Sequence, residues 1–346
     1  MSPFTSLPDL AVRTLGGSVV AASDESFEEK ENLINPWEPE FRPGTFGPRG
    51  QEYDGWETAR RRPDENGDLG HDWAIVRLGL PGVIRCVVVD TSWFKGNFPP
   101  HVSVDACAVD GHPSPAELGG AGWTEIVPPS PLKGDAPHAF DLASGRRFTH
   151  VRLNVLPDGG VARLRVHGDV VPDPRLLTGL TVDLAALENG ARVTECSNMF
   201  YSAPDNMLFP GLARDQSEGW ETARRREPGN EWAVVRLAAP GVVRLAEVDT
   251  SNLKFNAPAG VELSGLDART TEPDDPGGWA PLLERTRLQP DTRHRFRLTT
   301  AREVTHVRVD LHPDGGLARL RLFGDLARDG ERALNARWTA LNRAVV

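Results

Sequence analysis

What the chain lacks narrows its reading first. Cysteine occurs three times, at Cys86, Cys107 and Cys196, odd in number and far apart. That excludes a disulfide framework and a CxxC metal pair, and fits a reducing cytoplasm. No apolar run approaches the roughly 18 residues that span a bilayer. The N-terminal stretch MSPFTSLPDLAVRTLGG has no basic segment followed by an apolar core, so a soluble, unexported protein is expected. Positive charge is also short: 39 Lys plus Arg against 49 Asp plus Glu leave a net charge of -10. A field of that sign disfavours nucleic acid and anionic membrane as partners. HxH, HExxH and EF-hand spacings are missing, as are a GxSxG elbow, a P-loop and a dinucleotide fingerprint. The expectation is therefore no metal and no cofactor.

What is present is a duplication. DGWETARRR, from Asp54 to Arg62, returns as EGWETARRR from Glu218 to Arg226. HDWAIVRLGLPGVIRCVVVDTS (71 to 92) faces NEWAVVRLAAPGVVRLAEVDTS (230 to 251), and THVRLNVLPDGGVARLRVHGD (149 to 169) faces THVRVDLHPDGGLARLRLFGD (305 to 325). Across these blocks 35 of 52 positions are identical (8 of 9, 13 of 22 and 14 of 21). A period of about 160 residues is domain-sized, so each copy holds its own core. The expected division is an N-terminal arm over 1–16, a first repeat over 17–174, a linker over 175–190, and a second repeat over 191–346.

Short segments rich in Val, Ile and Leu alternate with Gly and Pro turns, without an intervening helical pattern of ten or more residues. This predicts an all-β protein of two tandem antiparallel jelly-roll sandwiches. In THVRLNVL, Val151, Leu153 and Val155 face inward and Arg152 and Asn154 outward. After PDGG, Leu164 and Val166 face inward and Arg163 and Arg165 outward, as in a half-exposed hairpin. Leu334, Trp338 and Leu341 share one face of a C-terminal helix. The Pro- and Gly-rich segment 35–54 is long enough to cover or form a site.

Several clusters can carry chemistry. SDESFEEKEN supplies Asp24, Glu25, Glu28, Glu29, Lys30, Glu31 and Asn32, and the second copy replaces it with SNMFYSAPDN. Glu31 alone of these acids keeps an acidic counterpart, Asp205. Asp54 and Glu57 precede Arg60, Arg61 and Arg62, whose guanidinium forks suit a carboxylate. Successive arginines on an extended segment also point to opposite faces, which leaves some of them structural. Asp90 ends an apolar strand ahead of Lys95 and Asn97, placed either for binding or as a turn cap. His71 becomes Asn230 in the second copy and is a candidate general base. His150 and His306, present in both copies, read as packed and hydrogen-bonded.

ASDESFEEKENL, DGWETARRR, HDWAIVRL, VDTSWFKGNFPP and PDGGVARLRVHGD, in this order within a duplicated chain, resemble the allantoicase family over nearly the whole length. The resemblance implies galactose-binding-like jelly rolls, a homo-oligomer, and hydrolysis of allantoate to ureidoglycolate and urea in purine catabolism. Where the family often has Cys after HDW this chain has Ala74, which argues against a cysteine nucleophile there. Glu25, Glu31, His71 and Asp90 are the expected catalytic set. Asp24, Lys30, Asn32, Asp54, Glu57, Arg60, Arg61, Arg62, Lys95 and Asn97 are the expected substrate contacts. The alternative is a non-catalytic carbohydrate or small-ligand binder built from the same modules.

Overall fold

The computed structural model describes residues 2–343; Met1 of the expected arm and 344–346 of the expected second repeat lie outside the described residues. The chain forms two compact units that meet in sequence at Val171 and Pro172.

In the first unit the long strand Asp72–Asp90 organises the rest. Its first part pairs antiparallel with Ser18–Ala22 and Arg147–Leu156; its last part, from Gly82, pairs with Arg163–Val170 and Pro137–Asp141, Gly82 and Val83 also keeping Phe148 and Arg147 on the other side. His101–Cys107 and Thr124–Pro131 extend the sheet beyond Arg147–Leu156. The switch between partners falls at LGLPG, where register is broken between Arg77 and Gly82. Pro81 there has no amide to give a ladder. At Gly82 a β-carbon would stand 2.3 Å from the Asp169 carbonyl. The second unit repeats this around Glu231–Asp249, with the break at LAAPG between Arg236 and Gly241.

The alternation of residues reads correctly on the inner face. Val151, Leu153, Val155, Leu164 and Val166 are fully buried. The hairpin expectation is corrected: Arg147–Leu156 and Arg163–Val170 do not pair with each other but with successive parts of Asp72–Asp90, so PDGG carries the chain from one to the other. The outer face is also corrected. Arg163 is 1% exposed, because the segment containing Asn32, Trp37 and Asp54 lies over it.

Two expected boundaries differ for a shared reason. The arm is tied down: Leu10 and Ala11 are buried, and Asp9 accepts the amides of Ala11 and Val166. The linker contains the same Asp-Leu-Ala. There Asp183 accepts the amides of Ala185 and Leu322, Leu184 and Leu187 are buried, and Thr181–Asp183 pairs with Arg319–Leu326. Both segments are strand-covering parts of their repeats. The C-terminal helix spans Arg328–Arg343, and its Leu334 packs on Leu177 and Ala239.

Candidate active site

Bonds that recur at matched positions of both repeats mark the scaffold. Trp56 donates its indole N–H to the Asp24 carbonyl, and Trp220 does so to that of Asn198. Asp24 accepts the Ala59 amide through its side chain, as Asn198 accepts that of Ala223. Asn32 donates to the Gly55 carbonyl, as Asn206 does to that of Gly219. Arg61 pairs with buried Asp72 at 2.7 Å and Arg225 with Glu231 at 2.9 Å, while Asp158 and Asp314 accept the two arginine amides. Asp90 accepts the amide and hydroxyl of Ser92, as Asp249 does those of Ser251. Asp54 forms a 2.6 Å pair with Arg163, both almost fully buried. Asp24, Asn32, Asp54, Arg61 and Asp90, expected at the substrate or in the catalytic set, each make bonds that hold the fold, and Asn32 also lines the cavity described below.

What remains unspent is more informative. An isolated antiparallel bridge joins Glu28 to Glu57, which sets the two side chains next to one another. Asn97 donates to Glu57 Oε1 at 2.7 Å and fixes its orientation. Burial first, and then the neighbouring Glu28, push the Glu57 carboxyl above its ordinary range; the Asn97 bond opposes this. Glu28 is also raised, by burial and by Glu52 and Glu29, against the pull of the Tyr53 amide and Arg49. Glu28, Glu29, Asn32, Arg49 and Glu52 line a cavity of about 330 Å³ in the Pro- and Gly-rich loop. Two adjacent carboxyls shifted upward keep their protons to higher pH than free carboxyls do, which suits one to give a proton and the other to take one. Arg60 and Arg62 are exposed, and neither makes an ion pair among the described residues.

Glu25 and Glu31 both hold Lys30, at 3.0 and 3.1 Å. For Glu25, burial is outweighed by the Lys30 amide and ammonium, so its carboxyl is lowered and suits a base poorly. His71 is exposed and Lys95 is 69% exposed, 3.6 Å from Asp135. Among the described residues no hydrogen bond or ion pair joins His71 or Asp90 to Glu25 or Glu31; Glu25 and Glu31 meet at Lys30, and Asp90 holds Ser92. Sequence reading missed Arg49 and Glu52. Glu52 had one signal: it stands two residues before the repeated motif, where the second copy has Gln216.

The second repeat is not bare scaffold. Tyr201, Glu221, Arg224, Arg226, Asn256 and Asp314 are among the residues lining a cavity of about 350 Å³. Glu221 accepts from Asn256 and Gln216, and the bridge partner matching Glu28 is Ser202. Among the described residues no group of three His, Cys, Asp or Glu is arranged to hold a metal.

A family model described as Allantoicase repeat matches residues 8–171 and again 182–327. The chain belongs to the allantoicase family. The matched spans begin just ahead of the two Asp-Leu-Ala segments, in agreement with the packing of both. A probable allantoicase of Nocardia farcinica is 57% identical over 325 residues, covering 93% of this chain and 95% of the relative. One of Streptomyces coelicolor is 49% identical over 346 residues, covering 97% and 90%. A crystal structure of allantoicase from Saccharomyces cerevisiae superposes with a TM-score of 0.76 at 34% identity, covering 92% of this chain and 93% of that one. Membership in this family does not favour the ligand-binding alternative.

Proposed function

We propose that this chain is an allantoicase, a hydrolase that converts allantoate and water to ureidoglycolate and urea as a step of allantoin and purine breakdown, acting in the cytoplasm as a homo-oligomer. The observation that carries the chemistry is the Glu28–Glu57 pair, two neighbouring carboxyls both raised, followed in sequence by exposed Arg60 and Arg62, which make no ion pair among the described residues.

Allantoate carries one carboxylate and two ureido arms on a single carbon. Arg60 and Arg62 grip the carboxylate through charge-assisted hydrogen bonds. Protonated Glu57 gives its proton to the nitrogen of the departing arm, which leaves as urea. The lone pair of the other arm's nitrogen forms a double bond to the central carbon, and Glu28 takes the proton that nitrogen sheds. Water then adds to the carbon, returning a proton to Glu57, while Glu28 returns its own to the nitrogen. Asn97 keeps Glu57 aimed throughout. The Glu25–Lys30–Glu31 group, Asp24 and Asn32 set the loop that presents Glu28. Acid and base transfer contributes roughly 100-fold to 10,000-fold, and orientation supplies much of the rest.

Urea and ammonia released from allantoate are measured with and without a chelator. Stoichiometric urea in both conditions is expected; ammonia in place of urea, or no turnover, contradicts the reading.

A further inference from the structure

We infer that the second repeat carries a separate, non-hydrolytic binding site for a small ureido-carboxylate. The inference takes the chemical class of its ligand from the proposed function; the rest comes from the cavity around Glu221.

Arg224 and Arg226 are both exposed at that cavity, and neither makes an ion pair among the described residues. The middle arginine of the motif is the one committed to the fold, through Glu231. Two free guanidinium groups in a protein of net charge -10 favour an anion, and their fork geometry favours a carboxylate. Glu221 and Asp314 line the same cavity and accept N–H groups, which a ureido arm supplies. Asp314 already holds the Arg225 amide, and Glu221 the amides of Asn256 and Gln216, so both are fixed in place. Tyr201 and Phe255, 66% and 95% exposed, add flat apolar faces against which a planar ureido group can lie.

What this cavity lacks is an acid across the bridge from Glu221; Asp314 is occupied by the Arg225 amide, as its counterpart Asp158 is by that of Arg61. Moving one proton off a nitrogen and another onto its neighbour takes two exchanging groups. Where the first repeat has Glu28 across from Glu57, and Glu52 acting on Glu28, the second has Ser202 and Gln216 around Glu221. The site holds its ligand without expelling urea from it.

Hydantoate (ureidoacetate) tests this directly, because it has a carboxylate and one ureido arm but no second arm to lose. Calorimetric titration of the full-length wild type is expected to give two hydantoate per chain. Arg224→Gln with Arg226→Gln is expected to give one per chain at an unchanged thermal midpoint, and Arg224→Gln alone to weaken one of the two sites about tenfold or more. A single site in the wild type, or two sites that neither variant alters, overturns the inference. Loss of urea release in the double variant, with Arg60→Gln/Arg62→Gln still active, also overturns it. Urea release from allantoate by the wild type is read in parallel. Two hydantoate sites without urea release contradict the proposed reaction alone; urea release with one site contradicts the second site alone.

Discussion

Glu57 and Glu221 occupy the same place in a repeated nonapeptide, yet their surroundings set different chemistry. Glu57 has one amide donor and an acidic neighbour, while Glu221 has two amide donors and a serine across the bridge. In the proposed reaction Glu57 acts in its protonated form, so activity is expected to fall as pH rises through its elevated pKa. Asn97 favours the ionised form, so Asn97→Ala raises that pKa further and moves the alkaline limb of the kcat profile to higher pH; a pH–rate comparison with wild type reads the shift. In the proposed reaction Arg60→Gln and Arg62→Gln each remove a charged donor to the substrate carboxylate. Each is expected to raise KM by roughly tenfold to a hundredfold, on the order of 1.5–3 kcal/mol, in steady-state kinetics.

The loop covering the first repeat depends on one buried ion pair. Arg163 donates to the carbonyls of Asn32, Trp37 and Asp54 as well as to the Asp54 carboxylate. Asp54→Ala leaves that guanidinium buried and unpaired, and is expected to destabilise the unit by about 3–5 kcal/mol. Denaturant unfolding measures the loss, and hydrogen exchange should show it concentrated in 35–54. The element also shows where sequence reading stops. Alternation placed Val151, Leu153 and Val155 in the core because apolar periodicity is set by the pleat. It put Arg163 in water because a polar residue on the outer face looks the same under a covering loop as under solvent. Nor does alternation name a strand's neighbour, so PDGG read as a hairpin turn.

His150 makes the same point in titration. It is buried, hydrogen-bonded to Thr149, and pushed down to about 4, by burial first and then by Arg77. An unfolded histidine titrates near 6.5, so the stability tied to neutral His150 is complete above that pH and is lost as pH falls to about 4. The loss is about 3 kcal/mol. His150→Asn should flatten the decline of unfolding free energy between those values; an unchanged slope contradicts the assignment.

At the scale of the whole chain, duplication was the clearest message of the sequence, since 52 aligned positions from distant parts of one chain need no structure to compare. The shared fold-holding bonds follow from it. The site was only partly legible: Glu57, Asn97, Arg60 and Arg62 stand out by pattern, but Glu57 and Asn97 are 40 residues apart and meet only through folding. Glu28 is proposed over Glu25 because of its bridge to Glu57, which no local spacing announces. The contrast between repeats survives in altered form. The second repeat has a cationic cavity around Arg224 and Arg226, and Ser202 stands across from Glu221 where the first repeat sets Glu28 across from Glu57.

The direct test is urea release from allantoate by Glu57→Gln and Glu221→Gln, assayed side by side with wild type. The account predicts a fall of roughly 100-fold to 10,000-fold for Glu57→Gln, and a loss at least tenfold smaller for Glu221→Gln. Equal losses, or the larger loss at Glu221, would contradict it.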